Sequence, residues 1–501
     1  MNLNKLDRNQ QKQIFFNLVL FILVFFMAIR LPLDTDFWWH IRAGQLTVEN
    51  GSPVLEDFTS FSVLGDKWIN HSWLAQVVYF MIYSYFGFFG VMIFVAVLAT
   101  LSMYFVFKRL RSNGAIKAFV LILCVATTAV VWTSRPQLFS LLLFSILAHL
   151  VYKKDMIHSK KWMMSIVIIF LFWGNLHAGF SIGIIFLTTF VFGLVLDYYL
   201  KNSGDTTRKG KDIFWWFGLL IISSIIVLIN PNGFDIWKVQ FSTISIPVLQ
   251  NLIPEWASPN FHELYQQPFL WLWLMLVFFF MANKKEISFS KIIPFIVLGA
   301  LGFMSRRNYV YFAIFSIPIL SDEISKFWTM IVKPNLKNNP QLFFSNFNKE
   351  PNIWVSKTIN SFIIFCLLLF TIGKIVYLGS PIIYQAYLEN NYPKQAVEFL
   401  DKTQTSDFQC LNSYAWGGYL SWTLPNMKIF IDGRTDLYGE LIIQDWLQMI
   451  YAEDGWEDKF YQYNINCLIL EKDYPIIEEL VNGSWKILYT DNNSIIMTKP
   501  E

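Results

Sequence analysis

The chain has 501 residues, of which 55% are hydrophobic, 18% are aromatic and only 15% are charged, and its mean hydropathy is +0.42. Soluble globular domains carry about 25% charged residues, so this composition excludes a soluble fold for most of the chain. The net charge is only +3 and no basic stripe lies outside the short loops, so nucleic acid is not an expected partner.

The apolar stretches predict a polytopic membrane protein, because a transmembrane helix needs about 20 apolar residues. A further apolar segment, Trp73–Phe86, is too short to span a membrane, and we interpret it as an interfacial helix that leads into the second span. The eleven predicted spans are 14–33, 88–107, 115–133, 136–152, 162–179, 181–200, 213–230, 268–283, 289–304, 309–321 and 358–378.

Lysine and arginine residues lie mainly at one set of helix ends. Lys12 precedes the first span, and Lys108–Arg111 and Lys153–Lys154 follow later spans on the same side. By the positive-inside rule this side is cytoplasmic. We therefore predict a cytoplasmic N-terminus and, with an odd number of spans, an extracytoplasmic segment after Leu378.

The composition changes after the last span. We predict a multi-pass membrane domain over 1–379 and a small extracytoplasmic α/β domain over 380–501, which is near the minimum size for an independent core. Its sequence pattern predicts a helix around Ala396–Leu400 and a turn at Asp491–Asn493. The predicted strands are Lys428–Ile431, Cys467–Leu470, Lys486–Tyr489 and Ile495–Thr498.

The four cysteines form no metal-binding or redox spacing. Cys124 and Cys366 lie in apolar runs and are predicted to be packing residues. Cys410 and Cys467 fall in the C-terminal domain, where they could meet in a small sheet. We interpret them as plain buried thiols rather than as a disulfide.

The first outer loop, residues 34–87, begins with two carboxylates, Asp34 and Asp36, directly after the first span. Carboxylates at the membrane surface are costly to desolvate unless they have a cation, a metal or a substrate hydroxyl as partner. Arg30 and Arg42 are the candidate cations near them in the sequence.

Two other interpretations of this loop remain open. Asp34, Asp36 and His40 could together hold a hard divalent ion against a phosphate. The structural alternative is a helix cap followed by an aromatic belt at the membrane interface.

Other polar residues cluster at the predicted outer ends of the spans. The adjacent arginines Arg306 and Arg307 lie on the side that the positive-inside tendency disfavours. We therefore predict an anionic ligand there, a lipid phosphate or diphosphate, because guanidinium binds phosphate bidentately. Headgroup contact is the alternative. The remaining outer-face candidates are Arg135, Asn175, His177, Glu255 and Trp256.

The first loop resembles a known class of enzymes. Its segment 34–40 (DTDFWWH), with Gly44 and Trp68–Leu74, resembles the opening of bacterial membrane glycosyltransferases of the GT-C fold. The tail segments Asn412–Leu420 and Phe430–Gly439 resemble the tail of a bacterial subgroup of such proteins. The resemblance extends over most of the chain.

The resemblance implies an α-helical polytopic fold with about eleven transmembrane helices and a small α/β extracytoplasmic domain. It also implies an enzyme of the cell membrane that takes a sugar from a polyprenyl-phosphate donor on the outer leaflet. Asp36 is the preferred catalytic acidic residue, with Asp34 as the alternative. The donor phosphate would contact Arg306, Arg307 and Arg135. The residues expected to position substrate are His40, His177, Asn175, Glu255 and Trp256.

The cofactor, the acceptor and the reaction type remain open at this stage. Members of the superfamily differ in metal dependence, so a divalent metal held by Asp34, Asp36 and His40 is an expectation that the resemblance does not fix. An outer-leaflet glycan polymerase or ligase and a non-catalytic scaffold are alternative functions. A transport component is disfavoured, because the spans are almost free of the ionisable residues that a transport pathway needs.

Overall fold

The computed structural model describes residues 8–32, 34–112, 114–153, 156–200, 210–239, 253, 255–283, 288–332, 353–403 and 408–500. Within these ranges the first 378 residues form a helical bundle, and a small sheet occurs only in the C-terminal domain. The bundle helices are α1 Arg8–Ala28, α2 Phe37–Asn50, α3 Trp73–Phe107, α4 Gly114–Thr128, α5 Gln137–Tyr152, α6 Lys160–Leu176, α7 Phe180–Tyr199, α8 Gly210–Ile226, α9 Gln267–Asn283, α10 Phe289–Met304, α11 Tyr309–Phe327 and α12 Ile353–Leu378.

Each predicted span coincides with one of the bundle helices α1 and α3 to α12. Among the described residues, six helices are long and apolar enough to cross a membrane, and Gln137–Tyr152 and Phe289–Met304 are apolar but shorter. The prediction of an α-helical polytopic membrane protein is therefore confirmed.

The two parts of α3 are separated by a kink. Gly87 has φ 57° and ψ −157° inside this 35-residue helix, a backbone conformation that glycine adopts readily because it lacks a Cβ. The segment before the kink is the predicted interfacial helix, and the segment after it is the predicted second span.

The helix α2 is packed closely on α3, and this contact fixes the start of the first outer loop. A Cβ on Gly44 would lie 2.3 Å from the carbonyl oxygen of Gln76, so only glycine permits this approach. Asn70 and Gln76 exchange two side-chain hydrogen bonds, of 2.8 Å and 2.9 Å. Because α2 begins directly after Asp36, this packing also limits where that carboxylate can lie.

The C-terminal domain combines short helices with a four-stranded sheet of order β1-β2-β4-β3. The strand β1 is parallel to β2, whereas β4 is antiparallel to both β2 and β3. The predicted helix around Ala396–Leu400 and the last three predicted strands are confirmed. The elements are α13 Pro381–Asn391, α14 Lys394–Lys402, β1 Cys410–Asn412, α15 Gly417–Thr423, α16 Thr435–Ile450, α17 Trp456–Gln462, β2 Cys467–Glu471, α18 Ile476–Asn482, β3 Lys486–Thr490 and β4 Ser494–Thr498.

Two predictions for this domain are wrong. Cys410 and Cys467 form a disulfide, because the parallel pairing of β1 with β2 places them directly opposite each other. The segment Lys428–Ile431 is not a strand. Its residue Ile429 forms only isolated bridges, to Ser60 on one side and to Cys410 on the other.

These bridges join the first outer loop to the C-terminal domain. The backbone N–H of Phe61 donates to the Ile429 carbonyl at 2.9 Å, and the N–H of Ile429 donates to the Thr59 carbonyl at 3.1 Å. Ile429 therefore lies between β1 and the first outer loop, and that loop is more than 300 residues away in the sequence.

Candidate active site

Three carboxylates meet at one guanidinium group. Arg135 lies in the turn before α5, and its Nε is 2.6 Å from Asp34 Oδ1. One terminal nitrogen is 3.0 Å from Glu255 Oε2, and the other is 3.3 Å from Asp36 Oδ2. Each guanidinium nitrogen therefore has its own acidic partner, and the acids come from two distant parts of the sequence.

This cluster holds more negative than positive charge. Burial, the largest effect, raises the pKa of Asp36 to about 7, and the neighbouring Asp34 and Glu255 raise it further while Arg135 opposes them. Burial likewise raises the pKa of Asp34. The three carboxylates hold the pKa of Arg135 well above its ordinary value despite its burial. The arginine therefore stays charged, and the raised pKa of Asp36 allows this carboxyl to exchange a proton near neutral pH.

The arginine pair lies beside this cluster, on the far side of Glu255. The Arg307 guanidinium lies over the Trp256 ring, 4.5 Å from its centroid, and the Arg307 N–H donates to the Glu255 carbonyl. Burial, the largest effect, lowers the pKa of Arg307, and no acceptor for its guanidinium lies among the described residues. Arg306 makes only long bonds, at 3.4 Å to the Ser258 carbonyl and 3.5 Å to the Tyr265 hydroxyl.

A small cavity of about 100 Å³ opens between these groups. Its lining residues are Val130, Val131, Glu255, Tyr265, Arg306 and Arg307. Two incompletely paired guanidinium groups on one cavity form an anion-binding surface. This cavity is therefore the candidate site for the phosphate that the sequence predicted at these arginines.

Three histidines lie near these arginines, and the rings of His71 and His177 are 5.9 Å apart between centroids. Burial, the largest effect, lowers the pKa of His40, His71 and His177. Arg135 lowers the pKa of His40 further, whereas Asp436 partly opposes the effect of burial on His71. His177 Nδ1 accepts the Gly179 N–H at 3.0 Å and is 2.8 Å from the Ser140 hydroxyl. An Nδ1 that accepts a hydrogen bond leaves the ring proton on Nε2, so His177 is a preformed donor.

Asn175, predicted to position substrate, makes its side-chain hydrogen bonds within the protein. Its amide nitrogen donates to the carbonyls of Leu171 and Ile229, and its oxygen accepts the Trp73 indole N–H at 2.8 Å. Asn230 donates to the same oxygen at 3.3 Å. Both donors and both lone pairs of the amide are thus used within the protein, and Asn175 ties α6 to α3.

The predicted metal ligands are not arranged around a common point. No group of three or more His, Cys, Asp or Glu side chains within the described ranges could hold a metal ion. The carboxylates of Asp34 and Asp36 face Arg135, whereas the His40 ring lies against Trp39, with ring centroids 3.6 Å apart. The three residues therefore do not fit a divalent cation as they stand.

The C-terminal domain forms a wall of the site, directly over Asp36. A Cβ on Gly433 would lie 1.9 Å from Asp36 Oδ1 and 2.9 Å from the Trp39 indole nitrogen. A Cβ on Gly418 would lie 3.1 Å from both the Thr35 carbonyl oxygen and the Trp39 backbone nitrogen. Both tail segments that resemble the glycosyltransferases therefore contact the acidic loop through a glycine.

A buried ion cluster anchors this wall. The side chains of Arg434, Asp57 and Asp432 are each fully buried, and Arg434 is 2.8 Å from Asp57 and 2.9 Å from Asp432. The guanidinium carbon also lies 4.7 Å from the centroid of the Phe58 ring. Asp57 and Phe58 belong to the first outer loop, so this arginine links the loop to the domain.

Two features of the site are not predicted from the sequence. The cation that partners Asp34 and Asp36 is Arg135, whereas Arg30 donates to the carbonyls of Ala129 and Trp132. Arg42 donates to Gln45. The contacts of Arg135 are carboxylates, which differ from the phosphate predicted for it. Its position at an outer helix end, just before a proline, is the one sequence signal that could have indicated this role.

The second missed feature is the docking of Gly433 and Arg434 onto the first loop. Both residues belong to the tail segment that carries the resemblance, but nothing in their spacing indicates a partner in a loop more than 370 residues earlier.

Comparison with known proteins supports the fold. No family model and no curated protein matches this chain. Among solved structures, the archaeal oligosaccharyltransferase AglB from Archaeoglobus fulgidus, in complex with an inhibitory peptide and a dolichol-phosphate, is 12% identical with a TM-score of 0.56. The match covers 92% of this chain and 70% of that chain.

A second similar structure is ArnT from Cupriavidus metallidurans bound to undecaprenyl phosphate, which is 12% identical with a TM-score of 0.47. That match covers 99% of this chain and all of that chain. The fold assignment is based on the similarity to AglB and on the helical architecture described above. The predicted GT-C fold is thus confirmed, because this chain shares the fold of AglB.

Proposed function

We propose that this protein is a glycosyltransferase that moves a sugar from a polyprenyl-phosphate donor to an acceptor on the outer face of the membrane. The observation that carries the proposal is the arrangement of Asp36 and the Arg306–Arg307 pair on either side of Glu255. A proton acceptor and an anion-binding surface are the two parts that such a transfer needs. The dolichol-phosphate in the AglB structure supports a polyprenyl phosphate as the lipid partner.

The reaction proposed for this arrangement is a direct, inverting displacement. The acceptor hydroxyl oxygen attacks the anomeric carbon of the sugar while the bond from that carbon to the donor phosphate oxygen breaks. Asp36, with its pKa raised to about 7, accepts the hydroxyl proton, and a base is most effective when its pKa is near the working pH. Arg306 and Arg307 stabilise the negative charge that develops on the leaving phosphate.

The other residues of the cluster orient these groups. Asp34 accepts the backbone N–H of Asp36 at 3.0 Å and is ion-paired with Arg135, so it holds the loop on which Asp36 lies. Glu255 links this ion cluster to Arg307. His177, with its proton on Nε2, and His40 supply hydrogen-bonding groups that position the acceptor.

The disulfide supports the proposed orientation in the membrane. Disulfides persist in oxidising compartments outside the cytoplasm, and Cys410–Cys467 lies in the C-terminal domain. We therefore propose an extracytoplasmic C-terminal domain and a cytoplasmic N-terminus, in agreement with the distribution of lysine and arginine. A topology reporter fused after Lys499 should give an extracytoplasmic signal. A cytoplasmic signal would contradict this orientation.

The test of the proposed function compares the two acidic residues. Lipid-linked sugars and surface glycans are first profiled in cells with and without the gene, to find the product that depends on it. Asp36→Asn and Asp34→Asn are then compared with the wild type at matched expression. Loss of a general base removes about two to four orders of magnitude of rate, so Asp36→Asn should abolish the product.

Asn is close to Asp in shape, so the substitution tests charge and basicity rather than packing. Arg42→Ala removes an outer-face arginine whose side chain donates to Gln45, and it should leave the product unchanged. Full activity in both aspartate variants would end the glycosyltransferase interpretation of this loop. Loss in Asp34→Asn alone would keep the enzyme class and move the catalytic assignment to that residue.

A further inference from the structure

Three carboxylates surround Arg135, and each lies close to a different nitrogen of its guanidinium group. Asp34 and Asp36 come from the first outer loop, and Glu255 comes from the segment before α9. Carboxylates are also the ligands that divalent ions such as Mg²⁺ use in proteins. With the guanidinium between them, however, these acids are not placed to hold a metal ion.

The contacts of Arg135 leave little capacity for a second cation. Its distances to the three acids lie between 2.5 Å and 3.3 Å, whereas a magnesium ion needs oxygens at about 2.1 Å in a nearly octahedral arrangement. A divalent ion would have to take the same oxygens from the arginine and would then lie beside a buried positive charge. The described residues offer no group of three or more acidic, histidine or cysteine side chains placed to hold such an ion.

We infer that Arg135 is a resident cation that takes the place of a divalent metal, so that this site holds its acidic residues together without a bound metal ion. The guanidinium is covalently part of the chain, so the orientation of Asp36 would not depend on the supply of metal. The inference rests on the proposed function and adds to it the group that neutralises the negative charge of the acidic cluster. The binding test below does not depend on sugar transfer.

The experiment measures Mn²⁺ binding to the purified full-length protein in detergent, by electron paramagnetic resonance of the free ion. The wild type should bind no Mn²⁺ at this cluster. Arg135→Ala removes the guanidinium but keeps the three acids, whose side chains can then close on a divalent ion, so this variant should gain one Mn²⁺ per chain. The melting temperature of Arg135→Ala should rise on addition of Mn²⁺, because a ligand that binds only the folded state stabilises it.

Two controls separate this site from general changes in charge. Lys238→Ala removes a positive charge from an exposed ion pair with Asp235 and should gain no Mn²⁺ site. Adding Asp34→Asn and Glu255→Gln to the Arg135→Ala background should abolish the gained site. These two changes locate the bound ion at the cluster.

One Mn²⁺ bound to the wild type and lost in Asp34→Asn would overturn the inference, as would an Arg135→Ala variant that folds and binds none. If Arg135→Ala is not recovered folded, the wild-type measurement alone decides. A chelator should also leave sugar transfer unchanged. A failure of the proposed function would show as an absent product, whereas a failure of this inference would show as metal bound to the wild type.

Discussion

The close contact between Gly433 and Asp36 makes a glycine in the C-terminal domain a determinant of the site in the membrane domain. In Gly433→Ala the added Cβ would lie 1.9 Å from Asp36 Oδ1. Non-bonded atoms need more than 3 Å, so the carboxylate or the loop above it must move by about 1 Å. A displacement of that size at a reacting group costs roughly 100-fold in rate. We expect sugar transfer to fall by about this factor.

The assay compares product formation at matched expression between Gly433→Ala and two references. Gly218→Ala adds the same methyl group at a helix position with nothing within 4 Å, and it should behave like the wild type. Formation of the Cys410–Cys467 disulfide, measured by alkylation of free thiols, reports whether the domain has folded. Wild-type activity in Gly433→Ala with an intact disulfide would refute the contact between this domain and Asp36.

Three further predictions follow from the charges of the site. Because Asp36 acts in its ionised form and its pKa is raised to about 7, the transfer rate should fall as the pH decreases below about 7. A rate that does not change between pH 5 and 8 would contradict the role of Asp36 as the base. Arg434→Met leaves two buried carboxylates unpaired and should lower the free energy of unfolding of the domain by about 3–5 kcal/mol in denaturant. Lys459→Met removes a more exposed ion pair and should cost at most about 1 kcal/mol, so equal losses of stability in the two variants would contradict the anchoring role of Arg434. Arg306→Ala and Arg307→Ala should each weaken undecaprenyl phosphate binding by roughly 10- to 150-fold, because a hydrogen bond to a charged group contributes about 1.5–3 kcal/mol. Unchanged affinity in both variants would indicate that these arginines only contact lipid headgroups.

The bundle could be predicted from sequence because its signal is local. A stretch of about 20 apolar residues indicates a membrane helix wherever it occurs, and each such stretch is a helix in the structure. The interfacial helix and the following span were also separable, since Gly87 ends one apolar segment and begins the next. The strands β2, β3 and β4 follow the same logic, because each is a short run of β-branched and apolar residues bounded by turns.

Pairings between distant residues could not be predicted in this way. The strand β1 has only three residues, Cys410–Asn412, and is defined by its partner rather than by its own pattern. The disulfide was missed for that reason, because a register between residues 57 positions apart leaves no trace in their spacing. The same limit applies to the carboxylates of the first outer loop. Arginines near them in the sequence were the predicted cation partners, but in the structure their partner is Arg135.

The sequence boundary at residue 379 separates two compositions, but the contacts at the site cross it. The first outer loop is bonded to the domain through Ile429, held by Arg434 through Asp57, and covered at Asp36 by Gly433. These are three different types of contact: a backbone bridge, a buried ion pair and a close packing contact. The docking therefore does not depend on any single side chain. The domain is therefore part of the catalytic surface that we propose, and the loop carrying Asp36 is positioned from the bundle side by Arg135 and from the opposite side by the C-terminal domain.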